Sequence, residues 1–226
     1  MIYPNIKEGV FVSRPNRFIA HVLIDGEPVV AHVKNTGRCK ELLLPGSKIW
    51  LNKGNTPNRK TDWDLISVES KGQIVNIDSQ VPNQLAYDYL QSVYPEAHIR
   101  REVTFGDSRF DLMLEIEGQK PTYVEVKGVT LKVDNVACFP DAPTDRGSKH
   151  IRGLIQAKNQ GYGAMLLFVV AMGQVNMVKP NYTTDPVFAQ TLKEAHMAGV
   201  DICAVDCQVT ENEIKIRNKL PVDLSH

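Results

Sequence analysis

Ser108-Arg-Phe-Asp-Leu-Met-Leu-Glu-Ile-Glu-Gly118, followed closely by Tyr123-Val-Glu-Val-Lys-Gly128, reads as two alternating β-strands joined by a short turn. The period of two places Glu125 and Lys127 on one face of the second strand. In the first strand Asp111 lies between Phe110 and Leu112. These two are expected to point to the core while Asp111 points away from it. Pairing the strands brings Asp111, Glu125 and Lys127 together at one edge of a sheet. Two carboxylates and one ammonium among apolar neighbours are the groups needed to hold Mg²⁺ and set a water against a phosphodiester.

An acidic residue two positions before a lysine is a weak signal alone, and the chain has three: Glu69-x-Lys71, Glu125-x-Lys127 and Glu213-x-Lys215. Context separates them. Glu69-Ser-Lys-Gly-Gln is polar and turn-like. Glu213-Ile-Lys-Ile alternates cleanly and reads as an edge strand with its charges in water. Only Glu125 sits in an apolar strand that follows another strand carrying a lone Asp. The competing interpretation is a cross-strand salt bridge on an exposed face, which contributes little to stability.

The pattern resembles the PD-(D/E)xK nuclease superfamily, with Phe110-Asp111 in place of Pro-Asp and Glu125-Val126-Lys127 as the second half. Over nearly the whole chain the sequence resembles the sugar fermentation stimulation protein family. The resemblance is carried by Asn35-Thr-Gly-Arg38, Leu44-Pro-Gly46, Val81-Pro-Asn83, Arg101-Glu-Val103, Ser108-Arg-Phe-Asp111, Tyr123-Val-Glu-Val-Lys127, Phe139-Pro-Asp-Ala-Pro-Thr144, Arg146-Gly147 and Leu167-Phe-Val169. It implies an OB-like N-terminal β-barrel and a nuclease-like αβββαβ domain with a mixed sheet. It also implies DNA binding and a regulatory link to sugar (maltose) metabolism.

At 226 residues the chain suits two small domains or one large one. A hydrophobic content of 42% with 23% charged residues is ordinary for a soluble globular protein. The longest apolar run, Ala164 to Met172, is too short to span a bilayer and reads as a buried strand. The N-terminus has no basic and apolar leader pattern, so a cytoplasmic location is expected. Cys39, Cys138, Cys203 and Cys207 are scattered through strand-like segments, as expected of reduced thiols. Cys203-x₃-Cys207 lacks a second ligand pair for metal.

Net charge is zero, which excludes a simple polycation coating nucleic acid. It is unevenly divided. Residues 1–80 carry 11 Lys and Arg against 8 Asp and Glu, a net of +3, and residues 81–226 carry 15 against 18, a net of −3. A mildly basic binding module beside an acidic metal-using one fits that split.

The first module, residues 1–80, shows five short strands separated by turns at Asp25-Gly26, Asn35-Thr-Gly37, Pro45-Gly46 and Lys53-Gly-Asn-Thr-Pro57. Five strands in this space fit a Greek-key barrel of the OB type. Arg14, Arg17, Lys34, Arg38, Lys40, Lys53, Arg59 and Lys60 lie in or beside the turns, within reach of DNA phosphates. Trp50 and Trp63 sit in apolar strand patterns and are expected in the core rather than stacked on bases. Asp78-Ser-Gln-Val-Pro-Asn83 breaks the strand rhythm and marks the start of the second module, residues 81–226. There the periodicity predicts a helix through Leu85, Tyr89 and Val93, then strands at 98–105, 109–116 and 123–132. A helix at 144–160 with Thr144 as N-cap follows, then the strand at 164–172, a capped helix at 185–198 and a strand at 200–206.

The expected chemistry puts Asp111, Glu125 and the Val126 carbonyl on Mg²⁺ or Mn²⁺, with Lys127 orienting or deprotonating water. Glu102 is either a third acid or a partner of Arg100 or Arg101. Asp141 would approach the metal from a loop. Arg146, Lys149 and Arg152 crowd the start of a helix whose N-terminus favours phosphate, whereas His150 is expected to be exposed. Gln156 and Lys158 enter the site only through the nuclease resemblance. A homodimer acting on two strands is expected from symmetry. A DNA-binding regulator that keeps the fold without catalysis is the alternative, and a small-molecule sensor or assembly module comes after it.

Overall fold

The computed structural model describes residues 1–35, 37–54 and 59–225. Thr36 of the expected Asn35–Gly37 turn, positions 55–57 of the turn after Lys53, and His226 lie outside the described residues.

Five strands close into the N-terminal barrel: β1 (Ile6–Asn16), β2 (Ile19–Ile24), β3 (Glu27–Val33), β4 (Lys48–Lys53) and β5 (Trp63–Ser70). Successive neighbours pair antiparallel, and a short parallel contact of β3 with β5 seals the ring through Ala31↔Trp63, His32↔Asp64 and Val33↔Leu65. Alternation explains the closure, because Ala20, Val22 and Ile24 turn inward while the residues between them face out. A sixth strand, β6 (Gln73–Asn76), extends β5 by a tight turn at Lys71–Gly72, both with positive φ. Trp50 is buried, as the apolar pattern implies, whereas Trp63 is only half-buried.

The linker after β6 leads into α1 (Val81–Val93), with Pro82 in its first turn, where a missing N–H costs nothing. A six-stranded mixed sheet follows in the order β15-β14-β12-β9-β8-β7, from β7 (His98–Phe105), β8 (Ser108–Glu115), β9 (Thr122–Val129), β12 (Gly163–Val170), β14 (Asp201–Val209) and β15 (Ile214–Leu220). The β9–β12 and β12–β14 pairs are parallel and the others antiparallel. The expected strand at 123–132 divides at Thr130. Its second part, β10 (Leu131–Val133), joins β11 (Val136–Phe139) and β13 (Met177–Pro180) in a small separate sheet.

Two helices cover the sheet face opposite α1. The first, α2 (Asp145–Asn159), is capped by the Thr144 hydroxyl, which accepts from Gly147 N at 2.9 Å. The second, α3 (Pro186–Met197), is capped by Asp185. Gly153 lets α2 lie close on β8. A Cβ there would stand 2.5 Å from Ser108 Oγ and 3.1 Å from Phe110 Cζ. Gly153→Ala is therefore expected to destabilise the protein by about 1–3 kcal/mol through overpacking, read as a lowered Tm.

The barrel and the sheet share their cores. Tyr3, Trp50 and Ile66 pack in one cluster with Val81, Leu85 and Leu90 of α1 and with Val124, Val126, Leu167 and Val205 of the sheet. The chain start itself joins the last hairpin: Ile2 bridges Glu213, and Tyr3 N donates to Asn212 O at 2.8 Å.

Candidate active site

Alternation in β9 sends Val124 and Val126 toward α1, and Tyr123, Glu125 and Lys127 toward α2. Glu125 is 2% exposed, although it carries a charge. Its Oε1 accepts from Lys127 Nζ at 2.6 Å and contacts His150 Nδ1 of α2 at 2.5 Å. Its Oε2 is buried and has no hydrogen-bond partner among the described residues. A buried carboxylate oxygen left unpaired is costly, and such an atom points to a function or a ligand rather than to stability.

Asp111 does not sit as the simple alternation predicts. Phe110 and Leu112, two residues apart, pack on opposite faces of the sheet, Phe110 with α2 and Leu112 with α1. The adjacent strand switches faces at the same level, since Ile99 joins the α1 cluster while Val103 and Phe105 join the α2 side. Between them Glu102, at φ 54°, falls opposite Asp111 in the β7–β8 register. A left-handed residue in one strand shifts the pleat by one position, and both strands reverse their faces there. The β8–β9 ladder ends at Leu112↔Val124, so the strands part just before Asp111. The Asp111 carboxylate bridges the opening: Oδ2 accepts from Val126 N at 2.8 Å and Oδ1 from Asn83 Nδ2 of α1 at 2.8 Å.

The two carboxyls titrate in opposite directions. Burial, followed by the neighbouring Glu125 charge, pushes Asp111 above the ordinary Asp range despite the Val126 and Asn83 bonds. Burial alone would raise Glu125 too, but the His150 bond, the Lys127 charge and the Lys127 bond hold it below the ordinary Glu range. One acid is thus kept ionised beside another that resists ionisation, a pairing typical of sites that do chemistry.

Several expected site residues go elsewhere. Glu102 pairs with Arg109 at 2.5 Å, neither Arg100 nor Arg101, and its side chain is 64% exposed, so it does not join the cluster. Gln156 is exposed and lies against the turn at Gly106; it is six residues beyond His150, about 9 Å along the helix axis. Arg146, Lys149 and Arg152 are exposed on α2. Asp141 is half-buried beside Gly37 and shares with Asn83 and Val126 the wall of a cavity of about 170 Å³ between the barrel and the sheet. Among the barrel cations, Arg14 spends its guanidinium on the carbonyls of Arg17, Asn35, Gly37 and Arg38, which removes it from phosphate contact. Lys34 is drawn to Asp64 at 3.2 Å and Asp78 at 3.6 Å, and Arg59 is paired with buried Asp64. Arg17, Arg38 and Lys40 are exposed.

His150 reverses expectation: it is buried, 8% exposed, and bonded to Glu125. The signal was present. His150 stands three residues after Gly147 and four before Leu154, on the buried stripe of α2. The four cysteines form no disulfide, and burial pushes the Cys39 and Cys207 thiols up to about 12. Among the described residues no helix is long and apolar enough to cross a membrane.

A closed OB barrel packed against a mixed sheet, with paired carboxylates and a lysine where two strands part, defines a barrel protein with a nuclease-like second domain. The family model described as the sugar fermentation stimulation protein RE domain matches residues 80–213, and the SfsA N-terminal OB domain model matches residues 12–77. A sugar fermentation stimulation protein homolog of Desulfitobacterium hafniense is 48% identical over 226 residues, covering 99% of both chains. One from Ruminiclostridium cellulolyticum is 46% identical over 227 residues, covering 99% of this chain and 100% of the relative. The solved structure of Pyrococcus furiosus SfsA in complex with Ca²⁺ is 31% identical with a TM-score of 0.89, covering 99% of this chain and 98% of that one. The chain belongs to the sugar fermentation stimulation protein family.

Proposed function

We propose that the protein binds DNA and hydrolyses its phosphodiester bonds with the help of Mg²⁺ or Mn²⁺ at Asp111 and Glu125. The observation that carries this reading is the unpartnered Oε2 of Glu125, buried beside a second carboxylate whose ionisation is opposed. Among the described residues no group of three or more His, Cys, Asp and Glu is arranged to hold a metal. Two acids suffice for Mg²⁺, which keeps most of its waters and takes one or two protein carboxylates. The relative from Pyrococcus furiosus, solved in complex with Ca²⁺, supports a divalent ion in this family.

In this reading Asp111, Glu125 and the Val126 carbonyl would hold the ion. When bound, the ion would acidify a water and neutralise charge building on the phosphate. Asn83 and the Val126 amide keep the Asp111 carboxylate from rotating. His150 and Lys127 occupy Oε1 of Glu125 and leave Oε2 to the site. Lys127 would donate hydrogen bonds from its ammonium to the attacking water or to the phosphoryl oxygens as negative charge develops.

Hydrolysis of plasmid and oligonucleotide DNA with Mg²⁺ or Mn²⁺ tests this directly. Native protein is expected to cleave, and Lys127→Ala to lose about 100-fold or more in rate. Cleavage retained in Lys127→Ala, or none by the native protein, removes the enzymatic reading. It would leave a DNA-binding regulator of sugar metabolism, with Asp111 and Glu125 serving structure or metal-assisted binding.

A further inference from the structure

We infer that the barrel carries a binding groove for single-stranded DNA that leads toward the Asp111–Glu125 site. This inference rests on the DNA-binding part of the reading above and names its substrate form. The groove encloses about 580 Å³ on the outer side of β1 and the segment after β3. Among the described residues no Asp or Glu lines it. Arg17, Arg38 and Lys40 supply its charge; all three are exposed, and none forms an ion pair among the described residues. The rest of the wall mixes polar Ser13, Arg14 and Asn16 with apolar surface from Val12, 42% exposed, and Pro45, over the buried Phe11 and Leu43.

That mixture discriminates between forms of DNA. A duplex hides its bases and asks a protein surface mainly for cations on its phosphates. An unpaired strand also offers base faces, which need apolar or aromatic surface to replace their lost stacking. Phe18, in the β1–β2 turn, is 46% exposed and carries the Arg17 guanidinium 4.8 Å from its ring centroid. Arg17 lines the groove and Phe18 lies next to it in the same turn, so the ring and guanidinium together offer a stacking platform for a base with a cation beside it for the phosphate.

The groove also has a direction. Gly37 lines both it and the 170 Å³ cavity whose other wall includes Asn83, the partner of Asp111, and Val126. Arg14 braces that crossing point by holding the carbonyls of Asn35, Gly37 and Arg38. A strand following the groove past Gly37 would pass from the barrel to the parted strands of the sheet.

The test is fluorescence anisotropy of the full chain, in EDTA to prevent cleavage, with a labelled oligothymidylate of about 16 nucleotides and a duplex of equal length. The native protein is expected to bind the single strand more tightly. Phe18→Ala is expected to weaken single-strand binding about tenfold or more while leaving duplex binding within about twofold. Arg38→Ala and Lys40→Ala are each expected to reduce the slope of log K against log salt by about 0.7. All three side chains are exposed, so unchanged thermal unfolding of the variants checks their folding. Duplex preferred over single strand, or single-strand binding indifferent to all three substitutions, overturns the groove but leaves general DNA binding standing. Absence of binding to either form overturns both.

Discussion

Asp111→Ala is expected to abolish metal-dependent cleavage and also to destabilise the fold by about 2–4 kcal/mol. The two losses have different causes. On the proposed metal-site reading, the first would come from removing one of the two carboxylates that would hold the ion. The second follows from the Asp111 bonds to Val126 N and Asn83 Nδ2, each 2.8 Å, which would be left as donors without acceptors in a half-buried site. An unsatisfied buried donor costs about 1–3 kcal/mol. Asp111→Asn separates the effects, because its carbonyl oxygen still accepts one of the bonds while the negative charge is gone. It is expected to recover part of the stability in denaturant unfolding and none of the activity. An Asp111→Ala variant as stable as the native protein would show that the carboxylate does not hold the parted strands.

His150→Ala is the other change with a large expected effect. It removes one of the two hydrogen-bonding partners that Glu125, a carboxylate 2% exposed, has among the described residues, and leaves Lys127 as the other. Breaking a buried pair from one side typically costs about 3–5 kcal/mol, since the remaining charge keeps its desolvation penalty. The pH dependence carries a sign. Glu125 is held below its ordinary range when folded, so its contribution to stability is present above the unfolded pKa and is lost as pH falls through the lower folded value. The gap between native protein and His150→Ala should therefore be widest near neutral pH and shrink in acid. Asp111 works the other way. Its raised pKa favours the fold below the ordinary Asp value and is lost as pH rises through the folded one. Chemical denaturation of native and variant protein from pH 7 down to about pH 2.5, past the ordinary Glu value, measures the gap; a constant difference would mean His150 acts through packing alone.

Much of this is legible in the sequence itself. The alternation of Val124, Glu125, Val126 and Lys127 places acid and lysine on one face, because period two is a property of the extended backbone itself. Thr144 before an apolar stripe marks the start of α2 for an equally local reason. The reversal at Asp111 was not readable. It depends on Glu102 adopting φ 54°, a conformation that no residue pattern in β7 announces. The fate of Arg14 was hidden too, since its four carbonyl partners include three from residues 35–38, brought near only when the barrel closes. His150 is different: its spacing from Gly147 and Leu154 already places it on the buried stripe of α2, where an exposed position is not available to it.

The pairing of Tyr3 with Asn212 constrains how the molecule comes into being on the ribosome. More than two hundred residues separate those partners, so this pairing forms only after Asn212 has left the ribosome. Trp50 and Ile66 likewise await a cover that is translated after them. A nascent barrel released alone would therefore present a sticky apolar surface to its surroundings.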